Sequence, residues 1–450
     1  MRIQNLGPIK DATITLNKLT VFIGNNGMGK TLAAYAVFAF RNWLETSFQP
    51  NLFTLDDLHK LIAQGDAEIP TVAYRQKLVK KIIAEFNALN TEGTYFQSFF
   101  KDEDLYQPGV TKIEIAASDF PEDMTIAGTL WGYTDRDKFA QGQGGFYRFR
   151  AERDQTRGIL KLSNKEEVVD DTTSSTTAMS LDAVAKRIDR VIANFLVGNM
   201  YQSVYLPAER IGINVFRTRI NSQLINENLS NPAEQPTSLE RYPYPIEAYI
   251  RFLNGSLGLL TQDYGQNVSE LGKRILSELI PGKFSYDEDH NQLQYQLAND
   301  QAARNIKFSL VSSSLKSLFG LDLFLRKQGM GYLLLDEPEM NLHPERQKLV
   351  ADLLFGLAMK LTPVVVSTHS DYFVKELVNQ VLQSKISDPQ HLGSTQQVSV
   401  YEFTATGVRD LGDITEREEF ENFDHTTNQI NQRYYQLLDQ LEDDGGSTDE

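Results

Sequence analysis

The stretch "GNNGMGKT", Gly24 to Thr31, constrains this chain more than any other part of it. It follows the apolar run "LTVFI" and leads into "TLAAYAVFAF", so a strand, a glycine-rich loop and a helix come in immediate succession. Glycines at this spacing let backbone N–H groups turn toward a phosphate, the lysine adds a fixed cation, and the following hydroxyl can meet a magnesium ion. The pattern predicts a phosphate-binding loop in an α/β fold. Asn25, Asn26, Gly27, Gly29, Lys30 and Thr31 are its candidate nucleotide-binding residues, with Thr31 also at the metal.

Such a loop holds a nucleotide but needs carboxylates from a neighbouring strand. In "GYLLLDEPEMNLHP", which begins at Gly331, the run "YLLL" has the continuous apolarity of a buried parallel strand. It delivers Asp336 and Glu337 to the C-terminal end of that strand, where open α/β sheets bind their ligands. Asp336 is the candidate magnesium ligand beside Thr31. Glu337 is the candidate catalytic residue, orienting or deprotonating the attacking water. In "TPVVVSTHSDYFVKEL" three valines end at Ser367-Thr368-His369, and a histidine there can reach a γ-phosphate.

The remainder narrows the class. The 450-residue chain is 41% hydrophobic, carries a formal charge of -16 and has no cysteine. Disulfides, thiolate zinc sites and cysteine nucleophiles are therefore excluded. No apolar run approaches the roughly 20 residues of a bilayer span, and the N-terminus has no signal-peptide layout. A cytoplasmic protein without a membrane partner is expected. The negative charge disfavours broad non-specific binding to nucleic acid, leaving DNA only a local basic groove.

Residues 1–45 carry the phosphate loop. Residues 46–108 are predicted to be a helical insertion, from "LDDLHKLIAQ" and "YRQKLVKKIIAEFNAL". Residues 109–215 are predicted to hold antiparallel strands in "TKIEIAAS", "MTIAGTLWGY", "GFYRFRAE" and "GILKLS", a polar loop "NKEEVVDDTTSSTTAMS", an amphipathic helix and the strand "QSVYLPAERIGI". Residues 216–295 are predicted to be a loop and helical insertion, toward whose end "FSYDEDHNQLQYQL" suggests a hairpin. Residues 296–425 are expected to carry the second, C-terminal lobe with the acidic strand and the histidine strand, and residues 426–450 a helix and an acidic tail, "EDDGGSTDE", expected to be disordered.

"LLLDEPEMNLHP" followed by "VVVSTHSDYF", together with "LGPIKDATITLNKLTVFIGNNGMGKT" and "VYLPAERIGI", resembles the ABC-type ATPases of the SMC, Rad50 and OLD branch. More narrowly, it resembles the stand-alone bacterial AAA-type ATPases of that branch. The resemblance implies a P-loop NTPase with an ABC-type ATPase head, in which a mixed central sheet is flanked by helices and joined by an antiparallel β subdomain, plus helical insertions. It implies ATP and Mg²⁺ as ligands, Glu337 as the catalytic glutamate, "NLHP" from Asn341 to Pro344 as the D-loop, and His369 as the switch histidine. These enzymes also need a signature segment that acts on the partner's nucleotide. The candidate is "LVSSSLKSLFGLDLFL", where Ser312, Ser313 and Ser314 stand in place of the usual Ser-Ser-Gly or Ser-Gly-Gly. A helix N-terminus still suits a γ-phosphate; a serine N-cap with no role in trans is the other reading. Gln202 and Arg210 are candidates for the Q-loop position, and Arg210 is alternatively a structural partner of a carboxylate.

The resemblance further implies a homodimer or higher oligomer that sandwiches two ATPs and controls a separately encoded effector, such as a nuclease or toxin. Similar ATPases serve anti-phage systems of the PARIS, Septu and abortive-infection kinds. Neither a Toprim-type acidic cluster after His369 nor sustained heptads are evident, so no effector is expected within these 450 residues. An alternative is a DNA-repair or DNA-end-sensing ATPase in the manner of RecF or Rad50 heads, with "RQKLVKK" and "RFRAERDQTR" as basic contacts. Intact Lys30, Asp336, Glu337 and His369 argue against a third reading, an inert ATP-binding scaffold.

Overall fold

The computed structural model describes residues 1–120, 132–135, 146–154, 158–167, 181–197, 202–217, 219–220, 242–265, 268–298, 304–327, 331–360, 362–387, 397–417 and 420–445. From the N-terminus, β1 (Arg2–Leu6) and β2 (Ile9–Thr13) lead into β3 (Leu19–Gly24), the phosphate loop and α1 (Lys30–Thr46). Next come α2 (Leu55–Gln64), β4 (Asp66–Pro70), α3 (Thr71–Glu92), α4 (Thr94–Phe100) and β5 (Lys112–Glu114). β6 (Gly132–Asp135), β7 (Phe146–Asp154), β8 (Ile159–Glu167), α5 (Leu181–Val197) and β9 (Ser203–Leu206) follow. After a helical segment at 210–217 the chain forms α6 (Tyr244–Ser256), α7 (Glu270–Leu279), β10 (Gly282–Asp287), β11 (Gln292–Leu297), β12 (Asn305–Lys307) and α8 (Ser313–Arg326). β13 (Tyr332–Asp336), α9 (Pro344–Lys360), β14 (Val364–Ser367), α10 (Asp371–Ser387), β15 (Val398–Thr404), β16 (Gly407–Asp410) and α11 (Glu421–Gly445) complete it. Two compact units result, one of residues 1–2, 36–203 and 330–332, the other of residues 3–35, 204–329 and 333–450.

The second unit is built on a six-stranded sheet of order β16-β15-β3-β14-β13-β9. β15, β3, β14 and β13 run parallel, and β16 is antiparallel to β15. Every residue of β3, β13 and β14 is buried. Helices on both faces of a parallel sheet demand this, and it is why these strands read as continuous apolar runs. α9 supplies one such cover, burying Val350, Ala351, Leu353, Leu354, Leu357 and Ala358 at spacings of one to three residues along one stripe. β14 and β15 lie on opposite sides of β3, so the winding reverses beside the strand that carries the phosphate loop. A crevice outside the C-terminal strand ends is the expected consequence. Register levels those ends: Asp336 stands opposite Ser367, and Ser367 opposite Phe22. The predicted hairpin is β10–β11, with Phe284 opposite Tyr295.

The first unit combines helices with an antiparallel sheet of order β4-β8-β7-β6. Its core is aromatic, with Phe40, Trp43 and Phe96 rings 4.9, 5.4 and 5.7 Å from that of Phe86. The predicted helices of residues 46–108 are present, but β4 interrupts them. Gly65, left-handed at φ 85°, ends α2, and Ile69 then buries itself opposite Leu160 of β8. A five-residue strand between two amphipathic helices offers too few alternating positions to be read. The first four residues of the predicted polar loop, "NKEE", instead finish β8. The rest of that loop, most of "MTIAGTLWGY", and the Asn-, Ser-, Gln- and Pro-rich stretch at 221–241 lie outside the described residues. α11 continues through "EDDG" to Gly445, so the tail begins as helix. Among the described residues no helix is long and apolar enough to cross a membrane.

The close approach of β3 and β15 fixes one backbone requirement. Gly24 sits at φ +135°, and a Cβ there would lie 2.2 Å from the carbonyl oxygen of Phe403. Gly24→Ala should lower unfolding free energy by ~2–4 kcal/mol through strain and forced separation of the two strands. Gly27→Ala, at φ +76° with open space around it, should cost only about 1–2 kcal/mol. Urea denaturation of the two variants measures the ranking; equal losses would mean that the β3–β15 contact is not tight.

Candidate active site

The loop after β3 exposes Asn25, Asn26 and Gly27 and buries Gly29 and Lys30. Lys30 Nζ folds back onto its own loop, donating to the carbonyls of Gly24 at 2.8 Å and Asn25 at 2.9 Å. The Nδ1 of His369 lies 3.5 Å from the same ammonium. Burial lowers the pKa of Lys30 to about 8, while the carboxylates of Asp336, Glu337 and Glu339 pull it back up.

Thr31, one residue into α1, donates its hydroxyl to Asp336 Oδ2 at 2.9 Å. The Tyr205 hydroxyl, from β9, donates to the same oxygen at 3.2 Å. Asp336 is 4% exposed. Burial pushes its carboxyl up to about 7, with the bonds from Thr31 and Tyr205 acting the other way and the charge of Glu337 adding to the rise. A hydroxyl beside a buried carboxylate is an all-oxygen donor pair. It fits Mg²⁺, which takes one or two protein oxygens and completes its shell with phosphates and water.

Glu337 turns the chain at φ 47°, a left-handed conformation that costs a non-glycine residue about 1–3 kcal/mol. Three hydrogen bonds hold it there. Its N–H donates to the Ser367 carbonyl at 2.9 Å, and its carbonyl accepts from Met340 N at 3.1 Å and Arg210 Nη2 at 2.6 Å. The side chain emerges 36% exposed, with Oε1 3.8 Å from His369 Nε2. Burial, and then the charge of Lys30, lower the His369 pKa to about 4, so the imidazole is neutral at pH 7.

Arg210 is 1% exposed and spends its donors on backbone carbonyls. Nε donates to Ser317 at 2.9 Å, Nη1 to Pro207 at 3.0 Å and Asp336 at 2.6 Å, and Nη2 to Glu337. The carboxylate partner considered for it is thus replaced by four carbonyls. The arginine fixes the Asp336–Glu337 peptide and ties it to α8. Gln202 is exposed, and its carbonyl accepts from Tyr332 N at 3.2 Å.

Two residues escaped the sequence reading. Glu339 Oε1 accepts from Thr368 Oγ1 at 2.8 Å and from His369 N at 2.6 Å, anchoring the turn that carries the histidine. Burial raises its pKa. Its place two residues after Glu337, between a proline and a turn, was the available signal. Tyr205 had none, because its role depends on β9 lying beside β13. Ser312 is the N-cap of α8: its Oγ accepts from Leu315 N at 3.4 Å and lies 3.3 Å from Ser314 Oγ. Ser312 and Ser313 are exposed, and Ser314 is half-buried. None of the three hydroxyls bonds the phosphate loop of its own chain. In "NLHP", Asn341 adopts φ 59° and Pro344 opens α9.

A family model described as AAA ATPase domain matches residues 1–374. Among solved structures, the chain aligns with an SMC head bound to the C-winged helix domain of ScpA, at 10% identity over 91% of this chain and 96% of that one, with a TM-score of 0.33. It aligns with the SMC head domain from Thermotoga maritima at 12% identity over 91% and 97%, with a TM-score of 0.27. It also aligns with the Smc head domain with an extended coiled coil, bound to the C-terminal domain of ScpA derived from Pyrococcus furiosus, at 12% identity over 98% of each chain, with a TM-score of 0.31. No curated protein sequence matches.

The Asp336 shift makes a stability statement. Its folded pKa of about 7 lies above the ordinary 3.8, so between those values the folded state holds more protons and stability falls as pH rises. In protein free of nucleotide and magnesium, Asp336→Asn should remove that fall. Its melting temperature should exceed wild type at pH 8, with the gap closing toward pH 4. A gap that is the same at both pH values would mean that Asp336 is ionised throughout.

Proposed function

The chain belongs to the AAA ATPase domain family, and on that premise we propose that it binds ATP with Mg²⁺ at the ends of β3, β13 and β14, hydrolyses it, and acts as a nucleotide-gated switch on a separate effector protein in bacterial anti-phage defence. The observation that carries the catalytic part is the convergence of Lys30, Asp336, Glu337 and His369 at three adjacent parallel strand ends. The defence role is supported by the resemblance of "DEPEMNLHP" and "STHSDYF" to stand-alone ATPases of such systems.

Each residue has a part. Backbone N–H groups of Asn25, Asn26, Gly27 and Gly29 line the phosphates, and Lys30 supplies a point charge against them. Thr31 and Asp336 hold the magnesium ion, whose charge offsets that of the phosphates. Glu337, half-exposed and fixed by its strained backbone, takes a proton from the attacking water. Neutral His369, within reach of both Lys30 and Glu337, donates one N–H toward the γ-phosphate. Ser312, Ser313 and Ser314, open at the start of α8, cover the nucleotide of a second copy, so that two ATPs lie between two subunits. Hydrolysis then releases the pair, and this opening is the signal.

Lys30→Ala should weaken ATP binding by ~10²-fold or more, the loss of a buried charge-assisted contact; fluorescent-nucleotide titration measures it, and unchanged affinity would remove Lys30 from the site. The sandwich has its own test. Ser312→Arg should keep ATP binding to a single subunit and lose ATP-dependent dimerisation and most turnover. Mixed with Lys30→Ala, it forms one sound composite site, with ATP on the Ser312→Arg subunit covered by Ser312 of the other. Partial recovery of turnover is the expected result. Normal hydrolysis by Ser312→Arg alone would reduce Ser312 to the helix cap it forms within its own chain.

A further inference from the structure

We propose that the second unit contains an oxyanion site for a single phosphate group, formed by Arg217, Lys307, Ser309 and Asn291 around a cavity of about 210 Å³. Arg217, in the helical segment that begins at residue 210, is 4% exposed. Its Nη1 donates to Asn254 Oδ1 at 3.2 Å and its Nη2 to Asn291 Oδ1 at 3.1 Å, and the Tyr286 ring lies 5.4 Å from the guanidinium carbon. Its Nε is buried with no partner. All these neighbours are neutral. A guanidinium taken out of water normally finds a carboxylate, because an unpaired buried charge is strongly unfavourable. Among the described residues the cavity lining includes no carboxylate and adds a second cation, Lys307. Among the described residues neither Arg217 nor Lys307 has an ion-pair partner. The nearby Asp287 is committed elsewhere, accepting from His290 N and facing His290 Nδ1 and Gln294 Nε2.

A buried guanidinium with an unsatisfied Nε and only neutral partners among the described residues, beside an exposed lysine, is out of place in a chain with a formal charge of -16 unless the cavity receives an anion. The donors favour phosphate. An arginine and a lysine supply charge-assisted bonds, and a hydroxyl and amides can serve the remaining oxygens of a tetrahedral ion. The volume lies below the ~300 Å³ at which sites for drug-sized ligands begin, which limits the occupant to inorganic phosphate or a small phosphate monoester.

The location gives the site consequences. Arg210, Asn214 and Arg217 share one face of the segment, at i, i+4 and i+7. Arg210 grips Ser317, Asp336 and Glu337, and Asn214 Nδ2 donates to the Lys316 carbonyl at 3.0 Å. Lys307 and Ser309 lie on the chain just before the N-cap of α8. A phosphate held between them would brace the start of α8 against the segment that fixes Glu337. The site itself does not depend on the ATPase reading.

The test is calorimetric titration of inorganic phosphate into the full chain carrying Lys30→Ala, which weakens anion binding at the phosphate loop. Saturable 1:1 binding at millimolar phosphate is expected. Lys307→Ala, at an exposed position that does not threaten folding, should weaken it by about 10-fold, the loss of one charge-assisted bond. Arg217→Gln should weaken it at least as much, with circular dichroism checking that this variant folds. Acetate should not compete. Absence of saturable binding, binding indifferent to Lys307→Ala, or equal competition by acetate would each overturn the assignment.

Discussion

The site hangs on the parallel register of β3, β14 and β13. Because Asp336 stands level with Ser367 and Ser367 with Phe22, the phosphate loop, the carboxylate pair and the histidine turn all leave the sheet at one height. A slip of one residue in β13 would turn Asp336 to the other face and break its bond to Thr31. The apolar runs that fill these strands are therefore as necessary to the site as the polar residues at their ends. They fix where the side chains emerge, and burial on both faces removes the freedom to adjust.

Burial also sets the electrostatics. It lowers Lys30 to about 8, raises Asp336 to about 7 and lowers His369 to about 4. Each group is moved toward its neutral form, so each responds strongly to an opposite charge arriving in the same low-dielectric space. A phosphate favours charged Lys30, and a cation favours ionised Asp336. The backbone complements this. Arg210 and the Ser367 carbonyl hold Glu337 in a left-handed turn that it would not adopt alone. The strain is stored beside the carboxylate proposed as the base.

Much of this was legible. "LTVFIGNNGMGKT", "YLLLDE" and "VVVSTH" announce buried strands that end in chemistry, because a strand covered on both faces must be apolar until it leaves the sheet. The hairpin at 284–297 and the helices at 55–64 and 71–92 were readable from period and turn residues. What was not legible depends on tertiary contact. Arg210 serves four carbonyls from three separate segments, and no local pattern says that an arginine will meet carbonyls. Glu339 could be seen but not interpreted without the turn at Thr368–His369 that it anchors. β4 was hidden by its length, and the helical start of the acidic tail by a composition that suggests disorder.

The central claim is that the Asp336–Glu337 turn is the catalytic edge of an ATPase. It is tested most directly by single-turnover hydrolysis of ATP by Glu337→Gln, with nucleotide affinity measured on the same preparation. The amide keeps the shape and the left-handed turn and removes only the base. Unchanged affinity and a hydrolytic rate lower by roughly 10² to 10⁴ are expected. Hydrolysis at the wild-type rate, with affinity intact, would contradict the claim.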